Sequence, residues 1–131
     1  ALLLTIFPYM NGENRQCIAE RQAQIAGQLE ETTRMGVPPA LMVSVAFLET
    51  HLGCDRHEGG NWGAPISPNE RHTAGTHVHA ARALLTGFER CVSWDGAVLR
   101  FRTGLCRTNA SYGVNYLRNV QRLTRRLEGT R

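Results

Sequence analysis

The sequence predicts a mainly α-helical protein, on three observations. Apolar residues recur at helical spacing in several runs of ten or more. Glycine and proline stop those runs at intervals that suit helices of ordinary length. No stretch of convincing length alternates apolar and polar residues as a strand would, and no internal repeat or interdomain linker is visible. At 131 residues the chain is the size of one domain, 1–131, with enough material for a hydrophobic core.

The elements follow in order. "ALLLTIFPYM" at the start is apolar but lacks a basic region and a cleavage site, so it reads as a buried N-terminal arm rather than a signal peptide. The first long helix is expected from about Asn14 to Met35, striped by Cys17, Ile18, Ala19, Ile25, Ala26, Leu29 and Met35 and stopped by Gly36. Pro38 and Pro39 suit the opening of the second helix. Its run "ALMVSVAFLETHL" is apolar nearly all round, as a central buried helix would be, and Gly53 ends it.

From Cys54 to about Thr73 the chain is rich in glycine, proline, asparagine and charge, without period. "HTAGTHVHAARALLTGFERC" then reads as a third helix, with Val78, Ala81, Leu84, Leu85 and Phe88 on its buried face. "DGAVLRFRTG" is a fourth, with Asp95 expected as its N-cap. "VNYLRNVQRLTRRL" is a fifth, striped by Val114, Leu117, Val120, Leu123 and Leu127.

Composition narrows the function classes. An apolar share of 42% and a charged share of 20% are those of an ordinary globular protein, and no stretch reaches the apolar length of a membrane span. The formal charge is +4, and every basic residue apart from histidine is arginine. A basic surface favours an anionic polymer. Nucleic acid is excluded as the expected partner, because no recognition helix, zinc-finger spacing or aromatic ladder is present. Bacterial cell wall is another such polymer, and a coding bias towards arginine that leaves the surface charge without specific meaning is the bland alternative. Cys17, Cys54, Cys91 and Cys106 are an even number at wide spacing, which predicts two disulfides and an oxidising compartment over the alternative of four free thiols.

The most informative residue is Glu49, the single acid in the apolar second helix. A carboxylate there is disfavoured unless it is paired or used. Desolvation would keep it protonated nearer neutral pH, which suits a general acid for a glycosidic oxygen. A bland alternative places Glu49 on the exposed edge of its helix or against an arginine.

The local order decides between these. Leu48-Glu49-Thr50, then Leu52-Gly53, then a loop ending Gly60-Asn61-Trp62-Gly63, resembles the catalytic segment of the lysozyme-like superfamily of peptidoglycan-cleaving enzymes. "LETHLG" and "GGNWG" are similar to the motifs of the bacterial glucosaminidase family. In the lytic transglycosylase and goose-type lysozyme family a "GLMQ" loop follows the acid; here the stretch is "WGAPISP" and the glutamine is absent. The second half is similar to the transglycosylase order, with "THVHAARALLTGFE" for the "AGARYL" helix, Phe101 and Arg102 in place of the tyrosine and asparagine of the "AYNAG" turn, Gly104 kept, and Tyr116 and Val120 on the terminal helix. The resemblance covers about Val37 to Leu123, and each motif alone is short.

What the resemblance implies is a lysozyme-like helical fold with a central catalytic helix and an irregular active-site loop. Glu49 would be the general acid. Asn61, Trp62, Gly63, Arg102 and Tyr116 would bind substrate, Trp62 by stacking on a sugar ring, with Tyr112 in reserve for Tyr116. Asp55, Glu58 and Glu70 are the candidates for a second acid, although the superfamily also contains enzymes that use one glutamate. The expected substrate is the β-1,4 glycan strand of peptidoglycan, cut by hydrolysis or by transglycosylation, in the periplasm or outside the cell. No cofactor is implied. A monomer is expected, acting either as a remodelling enzyme or as an antibacterial toxin, the latter with an immunity protein as partner. Two other classes compete: a zinc protein using His51, Cys54, Asp55, His57, His77 and His79, and an inactive glycan-binding module.

Helix length sets one expectation for the cysteines. About ten residues at ~1.5 Å each would carry Cys106 some 15 Å from Cys91, which argues against that pair. The resemblance places the segment before Cys106 beside the catalytic acid, so Cys54–Cys106 is expected, leaving Cys17–Cys91.

Overall fold

The computed structural model describes residues 12–54, 62 and 76–129. It is mainly helical, with six helices and no strand among the described residues: α1 Gly12–Glu20, α2 Gln22–Met35, α3 Pro39–Thr50, α4 Thr76–Cys91, α5 Trp94–Thr103 and α6 Ser111–Leu127. The N-terminal arm expected over residues 1–10 lies outside the described residues.

The first expected helix is in fact two. Arg21 leaves helical geometry, at φ −101° and ψ 13°, and separates α1 from α2. Gly36 ends α2 in the left-handed conformation, with backbone N–H groups of the cap donating to Thr32 and Thr33 carbonyls. Pro39 opens α3, where its missing N–H costs nothing.

Every residue of α3 from Ala40 to Phe47 is buried. The helix packs against α2 on one side and α6 on the other. Ser44 is the one polar residue in that buried stretch. Its hydroxyl donates to the Ala40 carbonyl at 2.8 Å and accepts from Thr124 of α6 at 2.9 Å. Ile18, Ile25, Leu84, Val98 and Val120 join α3 in the core.

Helix α4 packs on α5, α2 packs on α4, and α5 packs on α6. Only Val92 and Ser93 join α4 to α5. Val92 takes φ 62° in this tight turn and is 82% exposed. Ser93, not Asp95, caps α5: its hydroxyl accepts from the Gly96 N–H at 2.9 Å. Asp95 instead sits in the first turn, where its charge suits the positive helix end. Phe88, expected in the core, is 39% exposed and stacks on Trp94 at 4.3 Å. The early turn brings an aromatic partner to the surface and leaves Phe88 there.

Two disulfides form, Cys17–Cys54 and Cys91–Cys106. The expected pairing is therefore wrong, and the rejected pair is present with its Cα atoms 5.4 Å apart. Cys91 lies alongside Gly96 rather than ahead of α5; a side chain at Gly96 would start only 2.6 Å from the Cys91 Cβ. At the far end Gly104 turns left-handed, at φ 83°, and the chain doubles back. Cys106 thus sits beside α5, not beyond it, and the helix length does not separate the two sulfurs.

Candidate active site

Glu49 occupies the last turn of α3. The helix stops at once in three successive left-handed residues, His51, Leu52 and Gly53. Two of these are not glycine, a conformation that costs about 1–2 kcal/mol per residue. Several contacts hold it. Leu52 is fully buried. The Thr50 hydroxyl accepts from the Gly53 N–H at 2.9 Å. Arg21 donates to the Leu52 carbonyl at 3.1 Å, and the Cys17–Cys54 bridge ties the same corner to α1. The end of α3 is thereby fixed to the α1–α2 break from two directions. Sequence reasoning gave Arg21 no role, and no local motif marks it.

Three of the residues expected at the site meet here, each from a different helix. The Glu49 side chain is 15% exposed, and its Oε2 lies 3.7 Å from Nη1 of Arg102, on α5, which is 48% exposed. The Arg102 guanidinium stands over the ring of Tyr116, on α6, at 5.3 Å from its centre. Arg102 and Phe101 belong to helix α5, in line with the helix expected over "DGAVLRFRTG" and in contrast to the turn that the transglycosylase comparison implies for them.

Tyr116 is buried, and its hydroxyl closes no hydrogen bond of ordinary length. Burial pushes that hydroxyl well above the usual tyrosine range. The negative charge of Glu49 and a polar contact with it push the same way, while Arg102 opposes. The phenol therefore stays protonated at any ordinary pH and is a donor facing a carboxylate. The cation, the acid and the neutral donor form one polar cluster between α3, α5 and α6. Tyr112, the reserve, is 58% exposed.

Trp62 is placed differently from the expectation. Its indole is fully buried in the core cluster, with its ring edge-on to His77 at 5.8 Å. A ring closed off in this way belongs to the packing and offers no open face for a sugar. His77 in turn meets Glu31 of α2 at 2.7 Å. This His77–Glu31 pair fastens the start of α4 to α2 beside Trp62. Asn61 and Gly63, and the candidate second acids Asp55, Glu58 and Glu70, lie outside the described residues.

The zinc alternative loses its sulfur ligand, because Cys54 is bonded to Cys17. Asp55 and His57 lie outside the described residues, His51 packs against Phe47 at 5.0 Å, and His77 is paired with Glu31. Among the described residues no group of three or more His, Cys, Asp or Glu is arranged to hold a metal ion.

No protein-family model matches the chain, and no curated protein or solved structure matches it either.

Proposed function

We propose that the chain is a glycosidase of the lysozyme-like kind that cleaves the β-1,4 glycan strand of peptidoglycan, with Glu49 as its general acid. The observation that supports this reading is the gathering of Glu49, Arg102 and Tyr116 from three helices around a mostly buried carboxylate. An acid placed at the end of an apolar helix, with a neutral donor and a half-exposed cation beside it, fits proton transfer to a leaving-group oxygen.

The chemistry follows from those roles. Glu49 gives its proton to the bridging oxygen as the bond from that oxygen to the anomeric carbon breaks. The anomeric carbon gains oxocarbenium character, and Glu49 is left as a carboxylate. The Tyr116 hydroxyl and the Arg102 guanidinium both favour that charge, so they stabilise the product of proton transfer. Glu49 can then accept a proton from the nucleophile. That nucleophile is water in a hydrolase and the sugar's own 6-hydroxyl in a lytic transglycosylase.

Two disulfides agree with a protein that folds in an oxidising compartment, and no helix among the described residues is long and apolar enough to cross a membrane. The reading places the enzyme in the periplasm or outside the cell, where its substrate is.

The deciding experiment is mass analysis of peptidoglycan digested by the protein and by Glu49→Gln. The wild type is expected to release muropeptides, and Glu49→Gln to be slower by roughly 10²-fold or more while staying folded. Reducing N-acetylglucosamine ends identify a glucosaminidase, reducing N-acetylmuramic ends a muramidase, and 1,6-anhydro ends a transglycosylase. A folded Glu49→Gln variant that digests at the wild-type rate overturns the mechanism.

A further inference from the structure

A second feature lies within one helical turn of the site. A groove of about 260 Å³ runs between α3 and α6, lined by Phe47, Leu48, Asn119, Arg122, Leu123 and Arg126. Ser44 meets Thr124 while Glu49 meets Tyr116, so the two helices run antiparallel and the groove follows their seam. Leu48 precedes Glu49 in the chain, and Asn119 stands one turn beyond Tyr116. The floor is aliphatic and aromatic; the far wall is basic.

That wall belongs to a longer strip. Arg118, Arg122, Arg125 and Arg126 are all exposed along the last three turns of α6. No carboxylate among the described residues lies within ion-pairing distance of Arg118, Arg122 or Arg125. Like charges crowded on one helix repel, by a few tenths of a kcal/mol per neighbouring pair. An anion on the strip would relieve that repulsion, and guanidinium groups match carboxylates in shape as well as charge. The groove beside Arg122 adds apolar surface next to the charge. That combination suits a short chain bearing carboxylates on small aliphatic units.

We propose that this groove holds the acidic stem peptide of uncut peptidoglycan, next to the bond that Glu49 cleaves. The inference rests on the glycan-cleaving reading, and it names what that site requires beyond the sugars. Nucleic acid fits the same arginines less well. Phe47 is only 5% exposed, so the groove presents no aromatic platform for a base.

The test uses the full chain carrying Glu49→Gln, so that nothing is cut during binding. Two soluble peptidoglycan oligosaccharides of equal length are titrated calorimetrically, one with its stem peptides and one stripped of them. The peptide-bearing form is expected to bind about tenfold tighter, as charge-assisted contacts would give. Adding Arg122→Ala is expected to abolish that preference and leave the affinity for the stripped form unchanged. Equal affinity for the two oligosaccharides, or a preference that survives Arg122→Ala, overturns the proposal. So does tighter binding of a DNA duplex than of the peptide-bearing form. Parallel digestion by the wild type separates the two readings. A preference through Arg122 without cleavage leaves the groove standing and removes the glycosidase; cleavage without preference does the reverse.

Discussion

Removing the Tyr116 hydroxyl divides a working site from ordinary packing. Tyr116→Phe keeps the ring, its burial and its place beneath Arg102 at 5.3 Å. It deletes only an oxygen that is buried and closes no hydrogen bond of ordinary length. A buried hydroxyl in that state carries an unrepaid desolvation cost of about 1–3 kcal/mol, against which the long contact with Glu49 is a partial return. The two nearly cancel, so stability is expected to change by less than about 1 kcal/mol, or roughly 4 °C in Tm. Activity is expected to fall much further. In the proposed mechanism the hydroxyl is the neutral donor to the carboxylate that forms on proton transfer, and hydrogen bonds to charged groups contribute about 1.5–3 kcal/mol, which corresponds to about tenfold to a hundredfold in rate. Thermal melts and initial rates of peptidoglycan digestion, measured on the same preparations, give both numbers. A variant that melts far lower while each folded molecule digests as fast as the wild type would show Tyr116 to be packing alone.

Three more outcomes are expected. The raised pKa of Tyr116 means that the folded chain holds its proton more tightly than the unfolded chain, so this contribution is intact below the ordinary tyrosine value of about 10 and is lost as pH rises above it. Alkaline melts should therefore fall less steeply in Tyr116→Phe than in the wild type, and identical slopes would contradict the assignment. Trp62→Ala should cost about 3–5 kcal/mol of stability, as truncation of a fully buried indole does, with glycan binding lost only as folding is lost. Opening the Cys17–Cys54 and Cys91–Cys106 loops, with separations of 37 and 15 residues, should cost about 4 and 3 kcal/mol by chain entropy; calorimetry with and without reductant measures this, and non-reducing peptide maps should show these two pairs and no other.

Most helices are legible in the sequence because their stops are chemical. Gly36, Pro39 and the stripe from Val120 to Leu127 act locally, and the structure uses them where periodicity places them. The break at Arg21 is not legible, since bonds from the Arg21 N–H to Cys17 and from the Ile25 N–H to the Arg21 carbonyl keep the helical pattern on both sides of it. Ser93 and Asp95 are both good caps, and which one serves depends on the tight turn at Val92, a product of how α4 meets α5. Trp62 misled for a related reason: glycines beside it signal a loop, but burial of a side chain is decided by what packs over it. In the site, Glu49 stands out because an acid breaks an apolar run. Its closeness to Arg102 and Tyr116 needs three helices in register, and only the family resemblance hinted at that meeting. The cysteine pairing failed where a straight-line estimate ignored the chain reversal at Gly104.

The two disulfides close separate rings, 17–54 and 91–106, that neither overlap nor interlock. A single cut anywhere between residues 55 and 90 would leave two polypeptides with no covalent link, even before reduction. Glu49 would go with one and Arg102 and Tyr116 with the other. After such a cut the polar cluster would lie at a junction between two halves, joined by the seam of α3 on α6 with its Ser44–Thr124 hydroxyl pair and by the packing of α2 on α4. Such a chain lends itself to reconstitution from fragments, and the proposed activity is expected to return only when the halves dock.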